Sequence, residues 1–326
     1  MTQKEIADIL GVSEATVSLA LRDNEKVSPK TRDRVKHLAE LTDYRPNFSA
    51  QSLALGKTRC IGVIVSDISD VFYSELVQEL HRQIRSMDYI ALCLPSVSIG
   101  TSHVVDTLLC RRVDGIISMS LDISLDEINK IRNSRTPIIY YEYTFATDSV
   151  RVDMVKAGKI LTRHLIQQGC RKIAFIGKPS IPSGRYSGYI EALAENNVKF
   201  REELTKECPG HYSNAYNVAK ELFSQKNIPD AVVCFNDVRA TGALRAILDM
   251  GFKVPEDIAV AGVDDIMSSA YAGVPLTTVN LPREEIVSEL LKMLFRKIEA
   301  GAEEIMEEKV IQPRLVVRAS SLRKNQ

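Results

Sequence analysis

The sequence predicts a small all-α head followed by two α/β lobes, each built on a parallel sheet. Three observations carry this. Residues 1 to about 45 are punctuated as three short helices. From Cys60 onward, short apolar runs alternate with longer amphipathic stretches. The same rhythm starts again after Asp153. Strands spaced by helices of this length imply right-handed crossovers and parallel pairing. A chain of 326 residues also suits two domains with an accessory module, at roughly 100–200 residues per domain.

The head rests on the spacing of Ala7, Gly11 and Val17, that of a helix-turn-helix. A small residue at Ala7 lets the second helix approach the first, and Gly11 permits a left-handed turn. Val17 locks the second helix down, with Ile6, Leu10, Val12 and Leu21 completing the core. Ser13 is a suitable N-cap for a helix from about Glu14 to Leu21. Ser28-Pro29 is a cap and first-position pair that starts a third helix. The second helix then turns Glu14, Ala15, Ser18, Leu19 and Arg22 outward. In a helix-turn-helix its first residues meet base edges in the major groove. Glu14 can accept from a cytosine amino group, and Ala15 and Leu19 offer apolar contact to thymine methyls. Thr16 and Ser18 suit phosphates, Thr16 also a thymine methyl.

Composition bounds the partners. Lys plus Arg and Asp plus Glu number 42 each, which excludes a histone-like polycation. Residues 1–58 carry nine basic and eight acidic side chains, a net of one positive charge. Phosphate contact normally dominates DNA affinity. It must therefore come from the local cluster Arg22, Lys26, Lys30, Arg32, Arg34 and Lys36, helped by backbone amides at helix starts.

For the lobes, Cys60–Val65, Ile90–Leu94, Gly115–Ser118 and Ile138–Tyr141 read as strands, with a helix over Phe72–Met87. In the second series Lys172–Ile176, Ala231–Phe235 and Ile258–Val263 are strands, with helices near 184–196, 213–224 and 236–250. Ligands in such folds bind at the carboxyl ends of the strands. The six cysteines form no Cys-x-x-Cys and read as buried free thiols of a cytosolic protein. No secretory signal and no run of about 18 apolar residues occurs, so a soluble, cytoplasmic protein without a membrane partner is expected.

Between head and lobes, Phe48–Leu55 is a short helix candidate with Asn47 as N-cap and Gly56 as stop. So short a helix is marginal alone and needs a partner to fold. At this point the resemblance is plain. The runs GVSEATVSLAL (11–21), VSPKTRDRV (27–35), YRPNFSAQSLALGKT (44–58), IGVIVSDISDVFYSEL (61–76), RVDGII (112–117), CFNDVRATGAL (234–244) and GVDD (262–265) resemble the LacI/GalR family of transcription regulators, in order and spacing, over essentially the whole chain. Residues 18–21 and the AVVCFND run also resemble maltose-system repressors.

The resemblance implies a division into a helix-turn-helix head (1–45), hinge helix and linker (46–58), a first lobe (59–156 with 283–313) and a second (157–282 with 314–326). The lobes resemble a periplasmic-binding-protein-like ligand domain. It implies DNA contacts from Ser13, Glu14, Ala15, Thr16, Ser18, Leu19, Arg22, Lys26, Ser28 and Thr31. Tyr44, Asn47 and Ala50 match positions at the minor groove or backbone. Leu53 matches a leucine wedge that opens a central base step, which flexible pyrimidine–purine steps make less costly. Many relatives carry a basic or polar base reader where this chain has Leu19, so the operator cannot be copied from them.

For the effector, the resemblance implies Asp67, Phe72, Tyr73, Glu142, Tyr143, Arg185, Tyr212, Asn236 and Asp264, in a cleft between the lobes. Carboxylates and a planar guanidinium hydrogen-bond vicinal hydroxyls, and aromatic faces cover the apolar side of a sugar ring. The resemblance thus implies a repressor of a carbohydrate uptake or catabolic operon; the same aromatics could stack a nucleobase, so sugar, sugar phosphate and purine stay open, as does a regulator that works through a protein partner without a small effector. Asp264 and Asn236 could each instead cap the following helix, and the aromatics could be lobe core. Relatives carry Asn-Pro where this chain has Asp70-Val71. No cofactor or metal is expected. No Walker loop, Gly-x-Gly-x-x-Gly, Gly-x-Ser-x-Gly or His-Glu-x-x-His occurs, so an enzyme is not expected. A homodimer on a pseudo-palindromic duplex is expected, since no C-terminal leucine heptad suggests a tetramer.

Overall fold

Three helices, α1 (Gln3–Leu10), α2 (Glu14–Leu21) and α3 (Pro29–Leu41), form the head. The computed structural model describes residues 1–21, 23–44, 56–120, 122–142, 148–179, 184–300 and 306–323. The hinge-helix candidate 48–55, with Asn47, Ala50 and Leu53, lies outside these residues, as do Arg22 and Tyr143. The chain divides into two units, Met1–Arg59 and Cys60–Gln326.

Local chemistry starts and stops each head helix. Thr2 and Glu5 make a capping box at α1, satisfying amides that a helix start leaves open. Gly11 ends α1 at φ +64°, a conformation that costs a residue with a Cβ. Ser13 Oγ accepts from the Thr16 amide at 3.1 Å, and Ser28 caps α3 with Pro29 in its first turn. Ile6, Ala7, Val17, Ala20, Val27, Val35 and Ala39 are buried together. Leu19 departs from the outward position expected of it. It is half-buried and packs on this core, because α2 is only eight residues long and its apolar stripe is wide.

In the second unit, β1 (Cys60–Val65), β2 (Ile90–Pro95), β3 (Gly115–Met119), β4 (Ile138–Tyr141), β5 (Ser149–Val152) and β11 (Glu308–Ile311) form one sheet in the order β11-β5-β4-β3-β1-β2. All its pairings are parallel. The other sheet holds β6 (Ile173–Gly177), β7 (Thr205–Glu207), β8 (Ala231–Cys234), β9 (Ala259–Asp264), β10 (Thr277–Asn280) and β12 (Arg314–Val316). Its order is β12-β10-β9-β8-β6-β7, with only β10–β12 antiparallel among the described residues. Helices α4 (Val71–Ser86), α5 (Thr101–Cys110), α6 (Leu125–Asn133) and α11 (Arg283–Ala300) belong to the first sheet's lobe. Helices α7 (Met154–Gln167), α8 (Gly184–Glu195), α9 (Tyr212–Phe223) and α10 (Asp237–Asp249) belong to the second.

The central strands β3, β6, β8 and β9 are buried along their whole length, which is why they read as unbroken apolar runs. The chain passes between lobes three times: between β5 and α7, between β10 and α11, and between β11 and β12. The cysteines correct one expectation. Cys170, Cys208 and Cys234 are buried thiols, but Cys60 and Cys93 are half-buried and Cys110 is exposed. Cys110 closes α5 on its solvent side, where an apolar flank in sequence does not mean burial.

Candidate ligand cleft and nucleic-acid interface

A cleft of about 760 Å³ opens where the carboxyl ends of the two sheets face each other. Asp67 follows β1, Phe72 and Tyr73 start α4, and Glu142 follows β4. From the other lobe, Arg185 starts α8, Tyr212 starts α9, Asn236 follows β8 and Asp264 ends β9. The fold thus brings together every named candidate except Tyr143, which lies outside the described residues. Asp70, Asp153, Lys178, His211, Phe235 and Arg239 line the cleft as well. Sequence reasoning did not mark them, although Lys178, Asp153 and Phe235 each follow a strand and the strand-end rule could have found them.

At the centre, Arg185 Nη2 lies 3.2 Å from Asp264 Oδ1. Its guanidinium sits 4.4 Å from the centre of the Phe235 ring, a cation–π contact that fixes the plane of the fork. Arg185 Nε is buried and makes no hydrogen bond within the described residues. A buried N–H in that state is costly unless a ligand pairs it. Asn236 performs the capping role held open for it: Oδ1 accepts from the Arg239 amide at 3.1 Å and from Arg239 Nη1 at 3.0 Å. Its amide nitrogen has no hydrogen-bond partner among the described residues. Asp264 does not cap a helix; it faces Arg185.

On the first lobe, Asp70 Oδ1 accepts from the Phe72 amide at 2.9 Å and caps α4, so Asp70-Val71 builds a normal helix start. Phe72 stacks on Tyr141 with centroids 6.4 Å apart and is buried, while Tyr73 meets it edge-on. Phe72 is therefore both core and cleft wall. Tyr212 is exposed. Asp67 Oδ1 accepts from the Ser69 amide at 2.8 Å, and the Ser69 backbone and hydroxyl hold its carboxyl below the usual range. Glu142 sits at φ +60° and accepts from the Val152 amide at 2.7 Å. Burial raises its carboxyl, against the Val152 bond and the Arg185 and Arg151 charges.

Burial also pushes Asp264 up to about 8, opposed by Arg185 and reinforced by Asp237. Asp237, which accepts from Thr278 Oγ1 at 2.5 Å and Ser269 Oγ at 2.7 Å, is pushed up to about 7 by burial. Both carboxyls keep a proton that the unfolded chain releases near its ordinary value of 3.8. The linked stability is full below that value and is lost as pH rises through about 7 and about 8. The slope is at most about 1.4 kcal/mol per pH unit for each group. The urea midpoint of the ligand-free protein should therefore fall between pH 5 and pH 8, and Asp237→Asn should make the fall shallower. A midpoint flat across this range in the parent would contradict the assignment.

In the head, Ser13, Glu14, Ala15, Lys26 and Ser28 are exposed, while Thr16, Ser18 and Thr31 are half-buried. Ser13 and Thr16 share a hydroxyl contact of 2.8 Å, and Ser28 and Thr31 one of 2.9 Å. Tyr44 is half-buried against the head core. The basic cluster is thinner than its sequence. Lys36 pairs with Asp23 at 2.5 Å, and Arg32 donates to the Asp23 carbonyl at 2.9 Å. Lys26, Lys30 and Arg34 remain exposed.

Residues 2–47 match the family described as bacterial regulatory proteins, lacI family, and residues 162–321 match the periplasmic binding protein-like domain. An HTH-type transcriptional repressor PurR of Histophilus somni is 30% identical over 98% of each chain. The chain belongs to the LacI family. It is a DNA-binding transcription regulator of the repressor type that small-molecule effectors control. Among solved structures, a transcriptional regulator CelR–cellobiose complex is 26% identical, with a TM-score of 0.73 over 98% of this chain and 99% of that one. A Lac repressor dimer bound to operator and the anti-inducer ONPF shares the LacI-family fold, at 23% identity and a TM-score of 0.85 over 99% of both chains.

Proposed function

We propose that this regulator represses a carbohydrate uptake or catabolic operon and that its effector is a neutral sugar bound in the interlobe cleft. The observation that carries the sugar reading is the buried Arg185–Asp264 pair beneath Phe235. One oriented donor fork and one carboxylate side by side suit adjacent hydroxyls of a ring that needs both donors and acceptors. A phosphate would instead face Asp67, Asp70, Glu142, Asp153 and Asp264. Of the cleft's cations, Arg151 is paired with Glu308 at 2.5 Å and Arg239 is bound to Asn236 and the Cys208 carbonyl. Lys178 and Arg185 complete the cleft's four cations among the described residues; against them stand Asp67, Asp70, Glu142 and Asp153, with Asp264 holding its proton up to about pH 8, so no net positive charge is left to favour an anionic ligand.

The protein acts in the cytoplasm as a homodimer. Each head presents Glu14, Ala15 and their neighbours to one half of a pseudo-palindrome, and Leu53 is the wedge at its centre. No helix among the described residues is long and apolar enough to cross a membrane.

Thermal melts with neutral mono- and disaccharides, sugar phosphates and purine bases test the effector. A ligand at 100 times its Kd adds about 2.7 kcal/mol of stability. A neutral sugar should raise Tm by several degrees. A shift with a purine base or a sugar phosphate, and none with any neutral sugar, would replace this reading. Selection of bound duplexes from a random pool, without ligand, should enrich a pseudo-palindrome with a central kinkable step.

A further inference from the structure

Asp264 and Asp265, at the end of β9, both lie in the left-handed region, at φ +113° and +51°. Two consecutive non-glycine residues in that region persist only where the surroundings over-determine them. Here one side chain does much of the holding. Arg283 Nη2 donates to the Asp264 carbonyl at 2.9 Å and to the Asp265 carbonyl at 3.1 Å. Arg283 is the first residue of α11, which packs on the first sheet, so its guanidinium crosses from one lobe to the strand end of the other. Glu75, on α4 of the first lobe, completes the contact. Its Oε2 lies 2.7 Å from Arg283 Nη2, and its Oε1 accepts from the Met267 amide at 3.0 Å. Both side chains are largely buried, at 16% and 19% exposure. The Arg283 guanidinium also lies 5.2 Å from the Phe72 ring centre, and Phe72 and Glu75 are one helical turn apart on α4.

We infer that Arg283 and Glu75 are positioning residues for effector recognition, a clasp that holds the strained 264–265 backbone so that the Asp264 carboxylate faces Arg185. Neither residue lines the cleft, so both act through Asp264. The inference rests on the reading of the cleft as the effector site. One nitrogen, Nη2, meets both carbonyls and the carboxylate, while Nε is buried without a hydrogen-bond partner among the described residues; the long side chain and its flat group against Phe72 place that nitrogen where the compact, strongly hydrated ammonium of a lysine would not sit. Asp265 is held from its other side, by Arg318 at 2.7 Å and Asn280 at 2.9 Å. The clasp is thus the first lobe's share of the hold on this segment. It couples the lobe that carries Phe72 to the carboxylate in the other lobe.

The test uses the full chain as R283M, R283K and E75Q, with R185A as a control. Amide exchange of a peptide spanning 264–268 is followed by mass spectrometry without ligand. Calorimetry from pH 6 to pH 9 measures affinity for maltose, cellobiose and D-ribose. R283M should raise exchange at 265–268 at least tenfold and weaken sugar binding at least tenfold. The charged groups facing the Asp264 carboxyl are Arg185, Asp237, Asp70 and Arg283. Loss of the Arg283 cation removes one influence that favours ionised Asp264, so the pH inflection of affinity should move upward. R283K keeps the charge and loses the planar group that lies against Phe72 and sets Nη2 in place, so affinity should fall with the inflection in place, which a merely structural role would not produce. E75Q keeps an acceptor for Met267 and should weaken binding about threefold. If R283M does not fold, R283K and E75Q carry the test. Parental exchange and affinity in R283K and E75Q would overturn the clasp. If none of the three sugars binds the parent, the sugar reading fails for them, and the exchange measurement still decides the clasp.

Discussion

Replacing Arg185 by alanine is expected to lower effector affinity at least a hundredfold. The substitution removes a fork held in plane by Phe235, 4.4 Å away, and paired to Asp264 at 3.2 Å. Two charge-assisted hydrogen bonds to a ligand, at roughly 1.5–3 kcal/mol each, exceed the 2.7 kcal/mol that a hundredfold represents. A second loss follows from the first. Arg185 is the main influence that lowers the Asp264 carboxyl against burial. Without it the Asp264 carboxyl, pushed up to about 8 even beside Arg185, holds its proton to higher pH still and presents a donor where the ligand expects an acceptor. The same proton limits the damage to the ligand-free fold, since no buried charge is left bare. Calorimetry with the sugar that stabilises the parent most would measure the effect. Affinity within threefold of the parent would remove Arg185 from the site.

Gly158→Ala should reach the same site through packing and should also destabilise the second lobe. Helices α7 and α8 approach so closely that a Cβ on Gly158 would stand 2.0 Å from the Arg185 carbonyl oxygen, and one on Gly188 2.0 Å from that of Val155. Both obstacles are backbone, so the helices themselves must part. Alanine gains about 1 kcal/mol of helix propensity, but forcing packed helices apart costs more, typically 1–3 kcal/mol and here at the upper end. A net loss of about 2 kcal/mol corresponds to a fall in Tm of roughly 5 °C in a unit of this size. The shift also carries Arg185, the second residue of α8, away from Asp264 and Phe235. Sites tolerate about 0.5 Å of such displacement, so effector affinity should fall tenfold or more. A parental melting curve together with parental affinity would show that the helices can part without cost.

Some of this was legible from residue order alone. The head was, because capping and left-handed turns are decided within four residues: Gly11, Ser13 and Ser28 do in the structure what their chemistry allows locally. The long buried strands were legible too, because a strand covered on both faces must be apolar at every position. β5, β7, β10, β11 and β12 were not. They are three or four residues long, and their pairing depends on neighbours far away in sequence, such as β10 with β12 across Val279–Leu315. Leu19 was read as outward because its place on the helical wheel allows it, and a wide apolar stripe on a short helix decided otherwise.

The cleft shows the same division. Through its resemblance to the LacI/GalR family, the sequence by itself put Asp67, Phe72, Tyr73, Glu142, Arg185, Tyr212, Asn236 and Asp264 in one candidate set. Only the tertiary structure decided what each does there. Asn236 spends its oxygen on a helix cap and Arg239, Phe72 is shared between core and cleft, and Asp264 faces Arg185 and caps nothing. It also decided the part of Arg283, Glu75 and Gly158, which no motif marks. The physical reason is that helix caps and apolar runs are settled by nearest neighbours. A guanidinium spanning two lobes, or a glycine that lets two helices touch, has meaning only once segments distant in sequence have been brought to within a few ångströms.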